Sequence, residues 1–526
     1  MALKALLKEF LTPEHQILWC WHRGNLRGSM DEFRNKPLAG AWWLPGKPDV
    51  IFKGRLTIGD DNNGRLVLSG TQEHLAKLPT GATPPTFFGR LEADYSYDVT
   101  LFDVALRRGP SHSYPKAPLT ETIAEFVTHT LLVGGHLASQ DEALFDGTIF
   151  KLTGLDEWCD ATGFAGRHEN TTPNELATGS LTVAFQERAT PRYDLGNGTT
   201  LRLLSEYAGP RQFENSKQVT LRERNTIELV FPVALPIKTT VQELHIWQSF
   251  LTFGLRQASY TDEVYLLRRT SRGYDRFGLL LSGRKIPELR RRRERDALFR
   301  QSTFSDRIEE RLRGWRQKHD QIDLAILIFS GAAYQDSAYV HTNLLTYLQA
   351  LEVLHRELYK ADRFPDDEAR KATLKALRAA IPKTLDPSLR KQLSDSIQFV
   401  GAVTLLDRLK QLFSLYPKSL TPLFRRGGDD MGLLKDVRNF LTHYGGKKTL
   451  TKDFLWSRDA VVLKEKAHLF LEICLLGAMG MSDDEIQELV SNFEPYLDWR
   501  METSIEFMNE YLKNAESSAQ ATGAPG

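Results

Sequence analysis

The sequence predicts an α+β multidomain protein, with an N-terminal β-rich domain (an antiparallel sandwich or barrel-like sheet) followed by a C-terminal all-α helical bundle. Three observations carry this reading. Through residue 282 the chain breaks into short alternating apolar runs separated by turn residues. At GRKIPELRRRRERDALFRQ (283–301) it becomes dense in arginine. Beyond that, apolar residues recur at three- and four-residue steps to about residue 512. The expected divisions are a β-rich domain over 1–282, a basic linker or helix start over 283–303, a helical bundle over 304–513, and a small polar tail over 514–526, expected to be disordered.

The strand candidates follow in chain order. IFKGRLTIGDDNNGRLVLSG (51–70) reads as a hairpin turning around Asp60, Asp61, Asn62, Asn63 and Gly64. Further strands are expected over 94–106, 123–135, 179–188, 199–207, 219–231 and 263–270. Between them, TVQELHIWQSFLTFGL (240–255) has helical spacing at Leu244, Trp247, Phe250 and Leu251, and is expected to pack on the sheet. In the second half, helices are expected over 307–333, 339–360, 388–416, 431–444, 458–480 and 483–512. Pro382, Pro387, Pro417 and Pro422 mark breaks.

Composition narrows the function classes. Of 526 residues, 41% are hydrophobic and 26% charged, which is ordinary for a globular protein. The formal net charge is +1, so nucleic-acid contact would have to come from a local patch. Cys20, Cys159 and Cys474 are far apart and form no C-x-x-C pair, which argues against a zinc site or a disulfide framework. The apolar N-terminal stretch is interrupted by Lys4, Lys8 and Glu9, so no signal peptide is expected. The run IDLAILIFSGAA (322–333) is too short to span a bilayer. A cytoplasmic protein is the expectation.

One helix carries candidate chemistry. In KDVRNFLTHYGGKK (435–448), Gly445 and Gly446 supply a left-handed cap after Tyr444, and Asp429 and Asp430 stand where an N-cap belongs. Leu433, Val437, Phe440, Leu441 and Tyr444 form an apolar stripe. Asp436, Asn439 and His443 share another face. Arg438 lies five residues before His443, about 140° around an ideal helix, so both could border one cleft without touching. The spacing fits two readings. One is helix-end capping by basic residues. The other is RNA cleavage, with the histidine moving protons and the arginine gripping phosphate oxygens.

These residues also carry a resemblance. VRNFLTHYGG resembles the R-x4–6-H signature of HEPN domains, and TYLQALEVLHRELY (346–359) resembles the helix preceding that signature in the Apea-like branch. GAWWLPGKP (40–48), the 51–70 hairpin and FFGRLEADYSYDVTLFDV (87–104) resemble the N-terminal domain of ApeA-type antiphage defence proteins. The resemblance implies a homodimer, or higher homo-oligomer, whose paired motifs form one metal-independent ribonuclease site acting on RNA, with transfer RNA a candidate. It assigns Arg438 and His443 as catalytic and Asn439 with them; Asp436 is a supporting position. It further implies abortive infection triggered by a phage product sensed by the N-terminal domain. No cofactor or metal is expected. The alternative is a HEPN-type regulatory protein that binds a nucleotide or partner and cuts nothing.

Other constellations compete. Glu352/His355 and Glu465/His468 are E-x-x-H pairs of the kind that hold di-iron centres, but two further carboxylates are missing, and the charged surroundings of His355 predict a solvated face. Arg290, Arg291, Arg292 and Arg293, with Arg295, are either an RNA-binding rim or a solvated helix start balanced by Glu288, Glu294 and Asp296. Trp42 and Trp43 are core aromatics or the lining of a ligand groove. No H-E-x-x-H, P-loop or G-x-G-x-x-G motif is present.

Overall fold

The structure, a computed structural model, describes residues 30–501 except 79–85, 93–95, 113–121, 171–178, 187–189, 209–219, 272, 284–295, 336–338, 360–363, 365, 425–427, 444–449 and 451. Cys20, the arginines 290–293 and 295, the glycines 445 and 446, and the expected tail lie outside the described residues. Cα clustering divides the chain into two compact units. The first holds Met1–Leu251, Ser259–Arg292 and Arg300–Ser302, and the second Thr252–Ala258, Arg293–Phe299 and Thr303–Gly526.

The first unit is β-rich and antiparallel throughout its ladders. Its strands are β1 (Pro37–Leu44), β2 (Lys47–Ile58), β3 (Gly64–Gly70), β4 (Phe87–Glu92), β5 (Ser96–Phe102), β6 (Ala105–His112), β7 (Thr122–Thr128), β8 (Thr130–Val133), β9 (Phe145–Leu152), β10 (Phe164–Asn170), β11 (Gly179–Phe185), β12 (Arg192–Asp194), β13 (Thr200–Ala208), β14 (Arg222–Leu235), β15 (Thr261–Thr270) and β16 (Gly273–Leu281). Among the described residues, fourteen of them hydrogen-bond in one ladder, in the order β12-β13-β14-β9-β15-β16-β8-β5-β4-β1-β2-β3-β7-β6, while β10 and β11 pair separately. The 51–70 hairpin forms as expected, with Ile58 opposite Gly64.

Two expected strands are each broken in two. The 94–106 run bends at Asp103, which adopts φ 51. The 123–135 run is interrupted at His129, between Thr128 and Thr130. Alternation missed β9 and β16 for a physical reason. FDGTIFKL of β9 is buried on both faces, so its sequence has no polar side to alternate with.

Strands β1–β5, β7 and β8 share one apolar core, which includes Trp42, Phe52, Leu56, Phe87 and Phe126 and is joined by Tyr265 of β15 and Leu280 of β16. Trp42 is fully buried, so it is a core aromatic; Trp43 is half-buried and meets His136 edge-on at 5.1 Å. Trp42 faces Gly89 across the β1–β4 ladder, and a Cβ on Gly89 would lie inside van der Waals distance of the indole ring. Glycine here makes room for tryptophan.

The second unit is helical. It takes the end of α1 (Ile237–Leu255) from Thr252 onward. It continues with α2 (Ile308–Ala333), α3 (Val340–Leu358), α4 (Asp367–Ala379), α5 (Pro387–Ile397), α6 (Leu405–Leu415), α7 (Gly428–His443), α8 (Arg458–Ala478), α9 (Asp483–Ser491) and α10 (Glu494–Met501). The run of buried residues from Ala467 to Leu476, broken only at His468, makes α8 the central helix. α3 packs on both α2 and α8. Phe253 stacks on Trp315 at 5.5 Å and meets Phe299 and Phe329 edge-on.

The single helix expected over 388–416 is two. The first ends at Ile397, Gly401 turns the chain beyond it with φ 88, and Thr404 begins the second with a capping box closed by Asp407. The helix expected from 483 breaks at Asn492 and Phe493, giving α9 and α10.

Gly89→Ala is expected to destabilise the first unit by about 1–3 kcal/mol, the usual cost of overpacking a filled core. Urea unfolding followed by tryptophan fluorescence measures it. A change below about 0.5 kcal/mol would mean that the indole has room to move.

Candidate functional site

The candidate helix α7 begins at Gly428, so Asp429 and Asp430 stand in its first turn, where carboxylates oppose the positive helix end, and not at the N-cap. Met431, Leu433, Leu434 and Val437 are buried; Phe440 and Leu441 are partly exposed. The buried stripe is therefore set toward the start of the helix, which leaves its last two turns more open. His443 is the last residue of α7. Its side chain and residues 444–449 lie outside the described residues.

Arg438 is half-buried, with 26% of its side chain exposed. Its Nη2 donates to Oε2 of Glu352, on α3, at 3.3 Å. Its Nη1 donates weakly to Oδ1 of Asn439 at 3.5 Å. Its Nε is buried and has no hydrogen-bond partner among the described residues. A guanidinium is a planar fork of five donors, and most of this one remains available. The structure thus brings Arg438 and Asn439 together and adds Glu352. Asp436 is buried and pairs with Lys435 Nζ at 2.6 Å. Thr442 Oγ1 turns back onto the Arg438 carbonyl at 2.8 Å, within the last turn described.

The residues of the first E-x-x-H pair diverge. Glu352 serves Arg438, while Arg356 also reaches Glu352 at 3.3 Å from one turn on. His355 is fully buried, contrary to the solvated face expected of it. Its charged sequence neighbours Arg356 and Glu357 lie away from the buried stripe of α3, whereas His355 follows Leu351 and Leu354 into the core. His355 is 2.6 Å from Gln411 Oε1 through Nε2, and its Nδ1 accepts from Arg408 at 3.1 Å; both partners lie on α6. That pairing fixes the neutral tautomer with the proton on Nε2. Burial lowers the His355 pKa below its ordinary value; the bond to Gln411 works against this and Arg408 adds to it.

The second E-x-x-H pair surrounds a cation. Arg256, which adopts φ 51 just past α1, donates from Nε to Glu472 at 2.7 Å. Its Nη2 donates to His468 Nδ1 at 2.7 Å and lies 3.8 Å from Glu465. His468 Nε2 is 3.2 Å from Glu472, and its ring stacks on Tyr347 at 4.5 Å. Burial opposes the charge on Arg256, but Glu472 and Glu465 outweigh it and raise its pKa. Burial likewise pushes Glu465 up, and its neighbours His468 and Lys464 bring it down to about 2. These donors hold an internal ion network that no local sequence pattern signals, since Arg256 and Glu472 are 216 residues apart. Among the described residues no group of three or more His, Cys, Asp or Glu side chains is arranged to hold a metal ion. No described helix is long and apolar enough to cross a membrane.

The lowered His355 pKa sets a pH dependence. The unfolded chain takes up the proton below about pH 6.5 and the folded chain does not, so this contribution to stability is complete above that pH and is lost as pH falls toward the folded value. His245 and His319, also lowered by burial, act in the same direction. Replacing His355 by Gln is expected to shrink, without abolishing, the fall in melting temperature between pH 7.5 and 5.5 in calorimetry. An unchanged fall would show that His355 is already protonated in the folded protein.

Comparison with known families gives two matches. Residues 37–315, more than half of the chain, match the ApeA N-terminal domain 1, and residues 345–485 match the Apea-like HEPN domain. The second span contains Glu352, Arg438 and His443. No curated protein and no solved structure matches the chain.

Proposed function

This chain belongs to the ApeA-type proteins, with an ApeA N-terminal domain followed by an Apea-like HEPN domain, and on that premise we propose that it is a metal-independent RNA endonuclease of antiphage defence. The pairing of the two domains supports a nuclease-type defence function. The observation that carries the finer reading is the state of Arg438: a half-buried guanidinium, held at one end by Glu352, with terminal N–H donors left over. A phosphate oxygen that reaches the exposed part of this guanidinium makes a charge-assisted bond to it.

The reaction needs only groups of this chain and the RNA. The ribose 2′-oxygen attacks the adjacent phosphorus and the bond to the 5′-oxygen of the next nucleotide breaks. The products are a 2′,3′-cyclic phosphate and a 5′-hydroxyl. His443 takes the 2′-hydroxyl proton or delivers one to the leaving oxygen, a role typically worth about 10²–10⁴ in rate. Arg438 stabilises the charge that builds on the phosphoryl oxygens. Asn439, bonded to Arg438, orients the guanidinium, and Asp436 supports the helix through Lys435. Two copies of α7 facing each other across a two-fold axis supply two arginines and two histidines to one site. In this proposal the β-rich unit senses a phage-derived trigger in the cytoplasm, and cleavage of host RNA, with transfer RNA a candidate, halts growth.

Arg438→Ala and His443→Ala are each expected to abolish growth arrest in infected cells and to lower RNA cleavage at least 100-fold with EDTA present, while circular dichroism and melting temperature stay near wild type. Cleavage at the wild-type rate in either variant would remove that residue from the mechanism. RNA bound but left intact by the activated wild-type chain would favour the regulatory binding role instead.

A further inference from the structure

Between α3 and α6 the chain makes an excursion that adds nothing to the core: from residue 366 to 402 no residue is buried. Its base is fixed where the ring of Phe364 lies against Gly401. Its two helices are nonetheless well built. Asp366 caps α4 by accepting from the Ala369 amide at 2.7 Å. Asp386 caps α5 by accepting from the amides of Ser388 and Leu389 at 2.8 and 3.3 Å, with Pro387 at the first helical position. The helices pack on each other. The only residues of the excursion's helices and turn that are not fully exposed are Ala369, Leu374, Ile381, Leu385, Ser394 and Ile397, while Leu377, Leu389, Leu393, Phe399 and Val400 are exposed.

The outer side is basic. From Arg370 to Lys391 there are seven Lys and Arg residues, all exposed, and one carboxylate, Asp386, which is engaged in capping; Asp366, Asp367 and Glu368 precede this stretch and Asp395 follows it. Lys371, Lys375 and Arg378 stand at i, i+4 and i+7, one stripe on one face of α4. Like charges at this spacing weaken a helix. Asp367 stands one turn before Lys371, but Lys375 and Arg378 have no acidic residue one turn away on α4; on α2, by contrast, Arg313 pairs with Glu309 at 2.6 Å and Arg316 with Asp320 at 3.5 Å, each one turn away. A same-sign stripe about 10 Å long, on helices that serve no core, is placed to meet a polyanion. The excursion leaves from α3, which carries Glu352 beside Arg438, and returns into α6, which holds His355.

We propose that the α4–α5 hairpin is a backbone-binding arm for RNA, its Lys371–Lys375–Arg378 stripe meeting successive phosphates and delivering the strand to the α7 site. This rests on the ribonuclease reading above. The test uses the full chain carrying His443→Ala, which binds without cutting, and a fluorescein-labelled single-stranded RNA followed by anisotropy across a series of KCl concentrations. Adding Lys371→Glu, Lys375→Glu and Arg378→Glu together is expected to weaken binding at least 10-fold near 50 mM salt. It should also flatten the plot of log affinity against log salt by about 2, because three phosphates then keep their counterions when the strand binds. Glutamate is a good helix former, so α4 should persist, which circular dichroism checks. In the chain with His443 intact, the same three changes should raise KM for RNA and leave kcat near wild type. Unchanged affinity and salt slope would overturn the arm, as would loss of binding to anionic lipid vesicles with RNA binding intact. The two claims separate: RNA left uncut by the activated wild type overturns the ribonuclease reading, while the anisotropy series still decides the arm.

Discussion

A guanidinium taken half out of water has to be held, and the contact between Glu352 on α3 and Arg438 on α7 does this. Removing a charge from water is costly unless it is paired, so this contact ties the position of α7 to that of α3. The pairing is incomplete. One carboxylate oxygen reaches one terminal nitrogen, the neighbouring Asn439 offers a long second contact, and Nε has no partner among the described residues. An arginine held in place with donors left over is pre-organised for an oxyanion, because little side-chain freedom remains to be lost when one arrives. The same contact makes Glu352 a competitor for that anion, so it both aims the guanidinium and restrains it.

The two helices flanking this pair are fixed from behind. His355 lies one turn beyond Glu352 on the buried side of α3 and is locked by Gln411 and Arg408. About two turns earlier on the same buried face of α3, Tyr347 stacks on His468, which belongs to the Arg256–Glu465–Glu472 network. His355 uses Nδ1 as an acceptor from Arg408, which keeps its imidazole neutral. The site helix is therefore oriented through a helix that is itself over-determined by two buried polar networks, the arrangement that a catalytic constellation needs from its support.

What could be read in the sequence was local. The R-x4-H spacing, the adjacent asparagine and the helix that carries them all fall within sixteen residues, and α7 forms there. Glu352 could be noticed but not placed, because its partner is 86 residues away and its sequence neighbour His355 suggested a metal pair. His355 looked solvated because Arg356 and Glu357 follow it, yet helical geometry sends those side chains to a different face. Arg256 gave no signal at all, since an isolated arginine after a helix is commonplace and only the fold brings two glutamates to it. In the β-rich half, hairpins with polar turns were legible, whereas β9, buried on both faces, offered no alternation to find. The continuous helix expected over 388–416 stops at Ile397, and the chain turns through Gly401, with its left-handed backbone, before a capping box starts the next helix.

Whether Arg438 receives a phosphate of the bound strand decides the proposed chemistry. A crystal structure of the full chain with a 2′-O-methylated oligonucleotide, in which the attacking hydroxyl is blocked, addresses it most directly. The expected result is a backbone phosphate oxygen within about 3 Å of a terminal nitrogen of Arg438, with His443 beside the bridging oxygens. An oligonucleotide seated elsewhere on the protein, with Arg438 still bonded only to Glu352 and Asn439, would contradict it.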